Sequence, residues 1–181
     1  MDIVAYTDGS ASVAGSMKGM AGFGVYFPDL FGEKKAFSLG FEQGKTGEQE
    51  VLALLYAIRQ IPKSPEVKRL TVYSDSEYVV KTLTEGRLEK WRKANWTNTS
   101  GEVKNKDLWI KIHEELSKRP FLKLEMKHIR SHQVEKEKNA EKRELLLKDP
   151  HIIGNSIVDK LADYKRHKKR LPDISHLKLL K

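Results

Sequence analysis

Four acidic residues carry the most chemistry in this chain of 181 residues. Asp8 stands in YTDGSA, Glu50 in TGEQEVLALLYAI, Asp75 in YSDSEYV and Asp159 in GNSIVDKLAD. Taken singly, each has an ordinary structural use. Asp8-Gly9 is a turn pair closing a first strand. Glu48 and Glu50 both lie at the edge of a helix's apolar arc, as first-turn acids favoured by the helix dipole, and periodicity does not choose between them. Asp75 suits a helix N-cap, although its strand-to-helix junction is also where α/β sheets place ligands. Asp159 follows Ser156 at capping-box spacing. Brought together, the four would do something else. Hard cations such as Mg²⁺ bind carboxylate oxygens, with water and phosphate completing the shell. Four crowded carboxylates without metal would repel and raise one another's pKa. Two ions ~3.5–4 Å apart would activate a water and stabilise the leaving oxygen of a phosphodiester.

The charge of the chain fits an anionic partner: 34 Lys+Arg stand against 25 Asp+Glu, a net charge of +9. It is concentrated in two places. Tyr164–Lys181 carries a net +6 and Arg87–Lys106 a net +4, leaving the rest near neutral. Charge alone is equally served by a solubilising surface and a basic tail. The absence of cysteine excludes disulfides, thiolate zinc sites and cysteine nucleophiles, and suits a reducing compartment, so the expected location is cytoplasmic. No apolar run approaches the ~20 residues of a membrane span, and the N-terminus lacks the pattern of a signal peptide. The length predicts one domain with a real core.

The elements that must position these acids follow from periodicity. Ile3–Thr7, Ala21–Phe27 and Lys35–Phe41 read as an antiparallel meander. Thr46–Ile61 is predicted helical, with Val51, Leu54, Leu55, Ile58 and Ile61 on one face and Pro62 ending it. Arg69–Ser74 is a fourth strand, followed by a helix from about Asp75 to Thr84. Leu88–Trp96 is short, basic and aromatic. A helix over Lys104–Ser117, a fifth strand over Phe121–Ile129 and a last helix over Ser156–His167 complete the order, which argues a mixed sheet covered by helices. Gln133–Ile153 interrupts it: Glu135–Asp149 holds five acidic and five basic residues, read as a surface helix stopped by Pro150.

The five motifs together resemble type 1 ribonuclease H, from about Asp2 to Lys165. YTDGSA resembles the family's first-strand motif. GEQEVLALLYAI resembles the helix whose catalytic Glu precedes a hydrophobic-x-Ala run, which selects Glu50 over Glu48. TVYSDSEYV resembles the motif of the third acid. In GNSIVDKLAD, Asn155 precedes Asp159 by four residues as in the family's last motif. KHIRSHQ resembles the loop of the catalytic-site histidine, matched by His132; His128, inside a predicted strand, and His151, inside the insertion, are poorer matches. The resemblance implies an α/β ribonuclease H-like five-stranded mixed sheet, order 3-2-1-4-5, flanked by helices. It implies a catalytic domain over residues 1–166 with a charged insertion at 135–153, then a basic tail at 167–181.

The implied activity is hydrolysis of the RNA strand of RNA/DNA hybrids, leaving 5′-phosphate and 3′-hydroxyl ends. On that reading Asp8, Glu50, Asp75 and Asp159 hold two Mg²⁺ ions, with Mn²⁺ an alternative, and His132 assists proton movement or product release. Lys90, Trp91, Arg92, Lys93, Trp96 and Lys104 resemble the family's basic protrusion, where cations neutralise phosphates and Trp offers a flat face to sugars; Trp109 is expected in the core. Asn105 matches a minor-groove contact. Ser10, Ala11 and Glu77 match positions near RNA 2′-hydroxyls. A monomer is the expected state.

Three departures stand out. Thr46 lies only four residues before Glu50, so Lys45 is the alternative phosphate contact. Glu77 stands where the family commonly has Gln, and a carboxylate accepts but cannot donate. His132 and Asp159 are 27 residues apart, well beyond the family spacing, so the insertion is expected to form a flap at the catalytic mouth. The rivals are another metal-dependent nuclease of the same fold, such as a junction resolvase or 3′–5′ exonuclease, a reverse transcriptase fragment, and a non-catalytic hybrid-binding module. The first strand lacks the exonuclease Asp-x-Glu, the chain opens on Met with no polymerase remnant, and no acid is lost.

Overall fold

The computed structural model describes residues 1–163 and His167; the basic tail expected at 167–181 otherwise lies outside the described residues. The chain runs β1 (Asp2–Ala11), β2 (Ala21–Leu30), β3 (Glu33–Phe41), α1 (Thr46–Gln60), β4 (Arg69–Ser74), α2 (Glu77–Thr84), α3 (Arg87–Lys93), β5 (Thr97–Asn98), β6 (Gly101–Glu102), α4 (Lys106–Ser117), β7 (Lys123–His128), α5 (Gln133–Lys136), α6 (Ala140–Leu146) and α7 (Pro150–Ala162). The first three strands form the expected meander, and β1 then pairs in parallel with β4 and β4 with β7. The sheet order is β3-β2-β1-β4-β7. This is the anticipated 3-2-1-4-5 order with the two-residue hairpin β5–β6 set apart.

Helix α1 lies on one face of the sheet, against Gly9, and α7 on the other, against Gly22 and Gly24. Val51, Leu52, Leu54, Leu55 and Ile58 of α1 are fully buried with Phe23, Val25, Phe27, Leu70 and Val72 of the strands. Each such side chain contributes about 1.5–3 kcal/mol of hydrophobic stabilisation. Pro62 ends α1 as expected, because it forces Ile61 out of the helical region, to φ −85° and ψ 128°. Trp109 of α4 is fully buried. Just past α4, Arg119 donates through Nε to the Ile61 carbonyl at 2.8 Å and through Nη1 to Glu115 Oε2 at 2.7 Å. Arg59 reaches the other oxygen of Glu115 at 3.4 Å, so a buried ion cluster ties α4 to α1.

Several expectations need correction. Asp8-Gly9 is not a turn: β1 continues through both residues, opposite Gly24 and Phe23 of β2. Asp75 does not cap α2; Ser76 does, accepting from the Val79 amide, and Asp75 is left one residue outside the helix. The fifth long strand is shorter than Phe121–Ile129, and Phe121 is exposed. The largest difference is at Pro150. It does not stop a helix; it is the first residue of α7, with Asp149 capping by accepting from the His151 amide at 2.8 Å. Proline at that position loses only an amide that would be unpaired anyway. The last helix therefore starts six residues before Ser156, the Ser156–Asp159 capping box does not exist, and the insertion's own structure is α5 plus α6, ending before 150 rather than at 153.

Candidate active site

The carboxyl ends of β1 and β4 lie side by side, Thr7 opposite Ser74 in a parallel register. Asp8 and Asp75 are the next residues along, so strand pairing alone makes them neighbours. Glu50 arrives from α1 across Gly9: a Cβ on Gly9 would lie 2.4 Å from the Glu50 amide nitrogen and 2.5 Å from the Gln49 carbonyl carbon. Only a residue without a side chain lets the helix backbone come this close. One carboxylate oxygen from each of Asp8, Glu50 and Asp75 lies within 4.8 Å of the others. Glu50 is 6% exposed, whereas Glu48 stays at the half-buried helix start. Of the two first-turn acids, Glu50 and not Glu48 is the one with an oxygen near those of Asp8 and Asp75.

The three acids are poorly placed to be charged without a counter-ion. Burial, with Asp75 and Asp159 adding repulsion, pushes Asp8 up to about 8, although its carboxylate accepts from the Gly9 amide. Burial and the charges of Asp8 and Asp75 raise Glu50 well above the usual range. Burial and Asp159 raise Asp75, while His132 and His128 pull it the other way. Glu50 Oε2 is buried with no hydrogen-bond partner among the described residues. An orphaned carboxylate oxygen inside an all-oxygen donor set fits a hard divalent cation, which would supply the missing partner and reverse the repulsion.

Asp159 is exposed on α7 and is not one of the three with mutually close oxygens. It acts on Asp8 and Asp75 electrostatically. It also shares a cleft of about 330 Å³ with Asp75, His132 and Asn155. Gly24 explains how α7 gets there: a Cβ on it would lie 2.8 Å from the Val158 carbonyl oxygen. His132 is exposed, left-handed at φ 55°, and stands at the N-terminal boundary of α5 without a side-chain capping bond. The insertion supplies the far wall of the cleft through Val134 and Leu147, with Ile152 and Ile153 of α7.

The expected substrate contacts fall into two groups. Lys45 and Thr46 are exposed at the start of α1, and Glu77 is exposed at the start of α2, paired with Lys81. Lys90 and Lys104 are exposed, but Arg92 is held by two bonds to Glu89, which Lys93 also approaches. Trp91 packs edge-on against Trp109, and Trp96 packs against His113. Asn105 adopts φ 57° at the start of α4 and donates to the Tyr78 hydroxyl at 3.4 Å. Ala11 ends β1, and the Ser10 hydroxyl donates to the Ala162 carbonyl.

Sequence reasoning set aside two histidines that the fold uses. His128 ends β7 beside Ser74, and its Nε2 lies 3.3 Å from the Asp75 carbonyl oxygen. The parallel register of β4 and β7 was the signal that could have found it. His151 meets the Tyr6 hydroxyl at 2.9 Å and stacks on Tyr73 with ring centroids 4.2 Å apart. That pairing across 145 positions left no local trace.

Fold and acid cluster together define an α/β protein with an acidic, cation-fitting centre at the carboxyl edge of a mixed sheet. The chain matches the family described as RNase H over residues 1–166, and it belongs to the ribonuclease H family of hydrolases. It is 30% identical over 118 residues to the ribonuclease H of Clostridium botulinum, covering 64% of this chain and 76% of that protein. Among solved structures it resembles the prototype foamy virus protease–reverse transcriptase, with a TM-score of 0.66 and 26% identity over 89% of this chain and 20% of the viral one. It shares its fold with LC11-RNase H1, solved in complex with an RNA/DNA hybrid, at a TM-score of 0.56 and 20% identity, covering 90% and 94% of the two chains. No helix among the described residues is long and apolar enough to cross a membrane.

Proposed function

We propose that this chain is an endoribonuclease that hydrolyses the RNA strand of RNA/DNA hybrids, leaving 5′-phosphate and 3′-hydroxyl ends. The observation that carries the reading is the convergence of Asp8, Glu50 and Asp75, with an orphaned oxygen on Glu50, beside a cleft shared with Asp159. The hybrid bound by LC11-RNase H1, a protein of the same fold, supports the substrate class. Asp8, Glu50, Asp75 and Asp159 would hold two Mg²⁺ ions, or Mn²⁺. Such ions lower the pKa of bound water and stabilise charge on a departing oxygen.

The chain's own residues supply the rest. His132, on the loop beside Asp75, takes up or delivers a proton at an imidazole nitrogen. Lys45, Lys90 and Lys104 are exposed cations without an ion pair among the described residues, and they hold backbone phosphates. Asn105 reads the minor groove from a backbone pinned near Tyr78. Glu77 accepts from a 2′-hydroxyl, the group that separates RNA from DNA. Residues 1–166 form the catalytic domain, and the basic tail at 167–181 adds affinity. The protein acts as a monomer in the cytoplasm.

Labelled RNA/DNA, DNA/DNA and RNA/RNA duplexes, each with Mg²⁺ or EDTA, test this reading. Cleavage of the RNA strand of the hybrid alone, and only with metal, is expected. Cleavage of DNA/DNA would point to another nuclease of this fold, and hybrid binding without cleavage to a non-catalytic module; either overturns the reading.

A further inference from the structure

The carboxyl end of a helix leaves its last carbonyls without partners in the helix. In α7 two of these are answered by the sheet. Ser10 Oγ of β1 donates to the Ala162 carbonyl at 2.6 Å, and Ser38 Oγ of β3 donates to the Leu161 carbonyl at 2.5 Å. Between these strands runs β2, which carries glycine where the helix crosses it. A Cβ on Gly22 would lie 2.8 Å from the Ala162 carbonyl oxygen, and one on Gly24 would lie 2.5 Å from Leu161 Cβ. The helix backbone therefore rests on bare strand, close enough for two short hydroxyls to reach it from either side.

The positions of these hydroxyls relative to the acids matter. Ser10 is two residues beyond Asp8 on β1, hence on the same face of the strand. Ala162 is three residues beyond Asp159 on α7, hence on the same side of the helix. Asp159 belongs to the last turn, the part of a helix that frays. We propose that Ser10 and Ser38 are positioning residues: they hold the last turn of α7 against the sheet and so set where Asp159 stands relative to Asp8. This rests on the reading of Asp8 and Asp159 as members of one metal-binding centre. It also assigns the Ser10 hydroxyl a different task from the RNA contact suggested by its motif. Its one proton is committed to Ala162, leaving only acceptor capacity toward a substrate.

The test compares wild type, S10A, S38A, Ser38→Thr, D159N and the double variant S10A/D159N. The readouts are Mn²⁺ affinity by calorimetry without substrate, thermal midpoint in EDTA, and kcat and KM for a hybrid at saturating Mg²⁺. Groups that orient metal ligands are worth about 10–100-fold in metal affinity. S10A and S38A should each weaken Mn²⁺ binding about tenfold with KM unchanged, and Ser38→Thr should restore it. In the D159N background S10A should cost no further affinity, because the two act through one group. If wild type neither binds Mn²⁺ nor cleaves hybrids, the functional reading beneath the inference fails. If wild type does both, three results overturn the inference alone: unchanged Mn²⁺ affinity in S10A and S38A, an equal loss in the D159N background, or a rise confined to KM.

Discussion

Gly9 and Glu50 meet back to back, the missing side chain of one occupied by the backbone of the other. A methyl group at position 9 would overlap the Glu50 amide, with little room to yield on either side. Gly9→Ala should destabilise the protein by about 1–3 kcal/mol, the usual cost of overpacking. It should also lift Glu50 from Asp8, so metal affinity should fall with it. Chemical denaturation and Mn²⁺ titration of the same preparation check both. Wild-type affinity in a destabilised variant would show that Glu50 does not depend on this contact.

The raised acids give the metal-free protein a distinctive response to pH. A carboxyl whose folded pKa lies above its unfolded value favours the folded state at low pH, and that contribution is lost as pH rises through the folded value. For Asp8 the window runs from about 4 to about 8. Glu50 and Asp75 shift in the same direction. The thermal midpoint in EDTA should therefore fall between about pH 4 and pH 8, and Mg²⁺ should stabilise most at the upper end. D8N should raise the midpoint in EDTA at pH 9 by ~2–4 °C, equivalent to about 1 kcal/mol in a chain of this size. A flat profile in EDTA would exclude the burial argument.

Asp75 stands outside α2, capped by Ser76, so replacing it removes no helix cap. Asp75→Asn should lower hybrid cleavage by at least about a hundredfold, the scale expected when transition-state charge loses its support. Hybrid affinity should survive. Retained turnover removes Asp75 from the mechanism.

The insertion can be excised without touching α7, because the helix's cap is Asp149 and its first residue Pro150. Replacing residues 135–148 by a short Gly-Ser linker should leave the sheet intact while removing the Leu147 wall of the cleft. Hybrid KM should change by roughly threefold or more, equivalent to about 0.6 kcal/mol. Unchanged kcat and KM would mean that the insertion does not frame the substrate.

Glu115 concerns stability alone. Burial would raise its pKa, but Arg119, Lys118 and Arg59 together hold it below the usual range. Glu115→Ala leaves Arg119 buried and half-paired, at a cost of about 3 kcal/mol. Urea denaturation should register this, while metal affinity, remote from α4, should not move.

The parts of this design visible in the sequence were those written in short, ordered segments. The meander and α1 followed from spacing and period, and the sheet order from the resemblance to ribonuclease H. The four acids could be picked out because each sits in a motif of its own, but that only three of them, Asp8, Glu50 and Asp75, have mutually close oxygens could not. What was hidden depended on contacts between distant residues or on residues with two uses. Proline both ends and begins helices, and Pro150 was read the wrong way although Asp149 before it carries the cap. Asp8-Gly9 reads locally as a turn; only the approach of α1 shows why the glycine lies within a strand. Strands of two residues, as in β5 and β6, are too short to have a period. The bond from Ser10 to Ala162 could not be read at all, since it spans 152 positions.

Pro150 has a broader consequence. The chain leaves the sheet at His128, which is fixed by β7, and re-enters it at a helix that supplies its own cap. Everything between is bounded by two self-sufficient anchors. Lengthening such a segment costs little, since closure entropy grows only with the logarithm of its length. The 130–149 region is thus a docking port in the architecture, where segments of different size and charge can be exchanged beside the acidic edge while the sheet beneath stays the same.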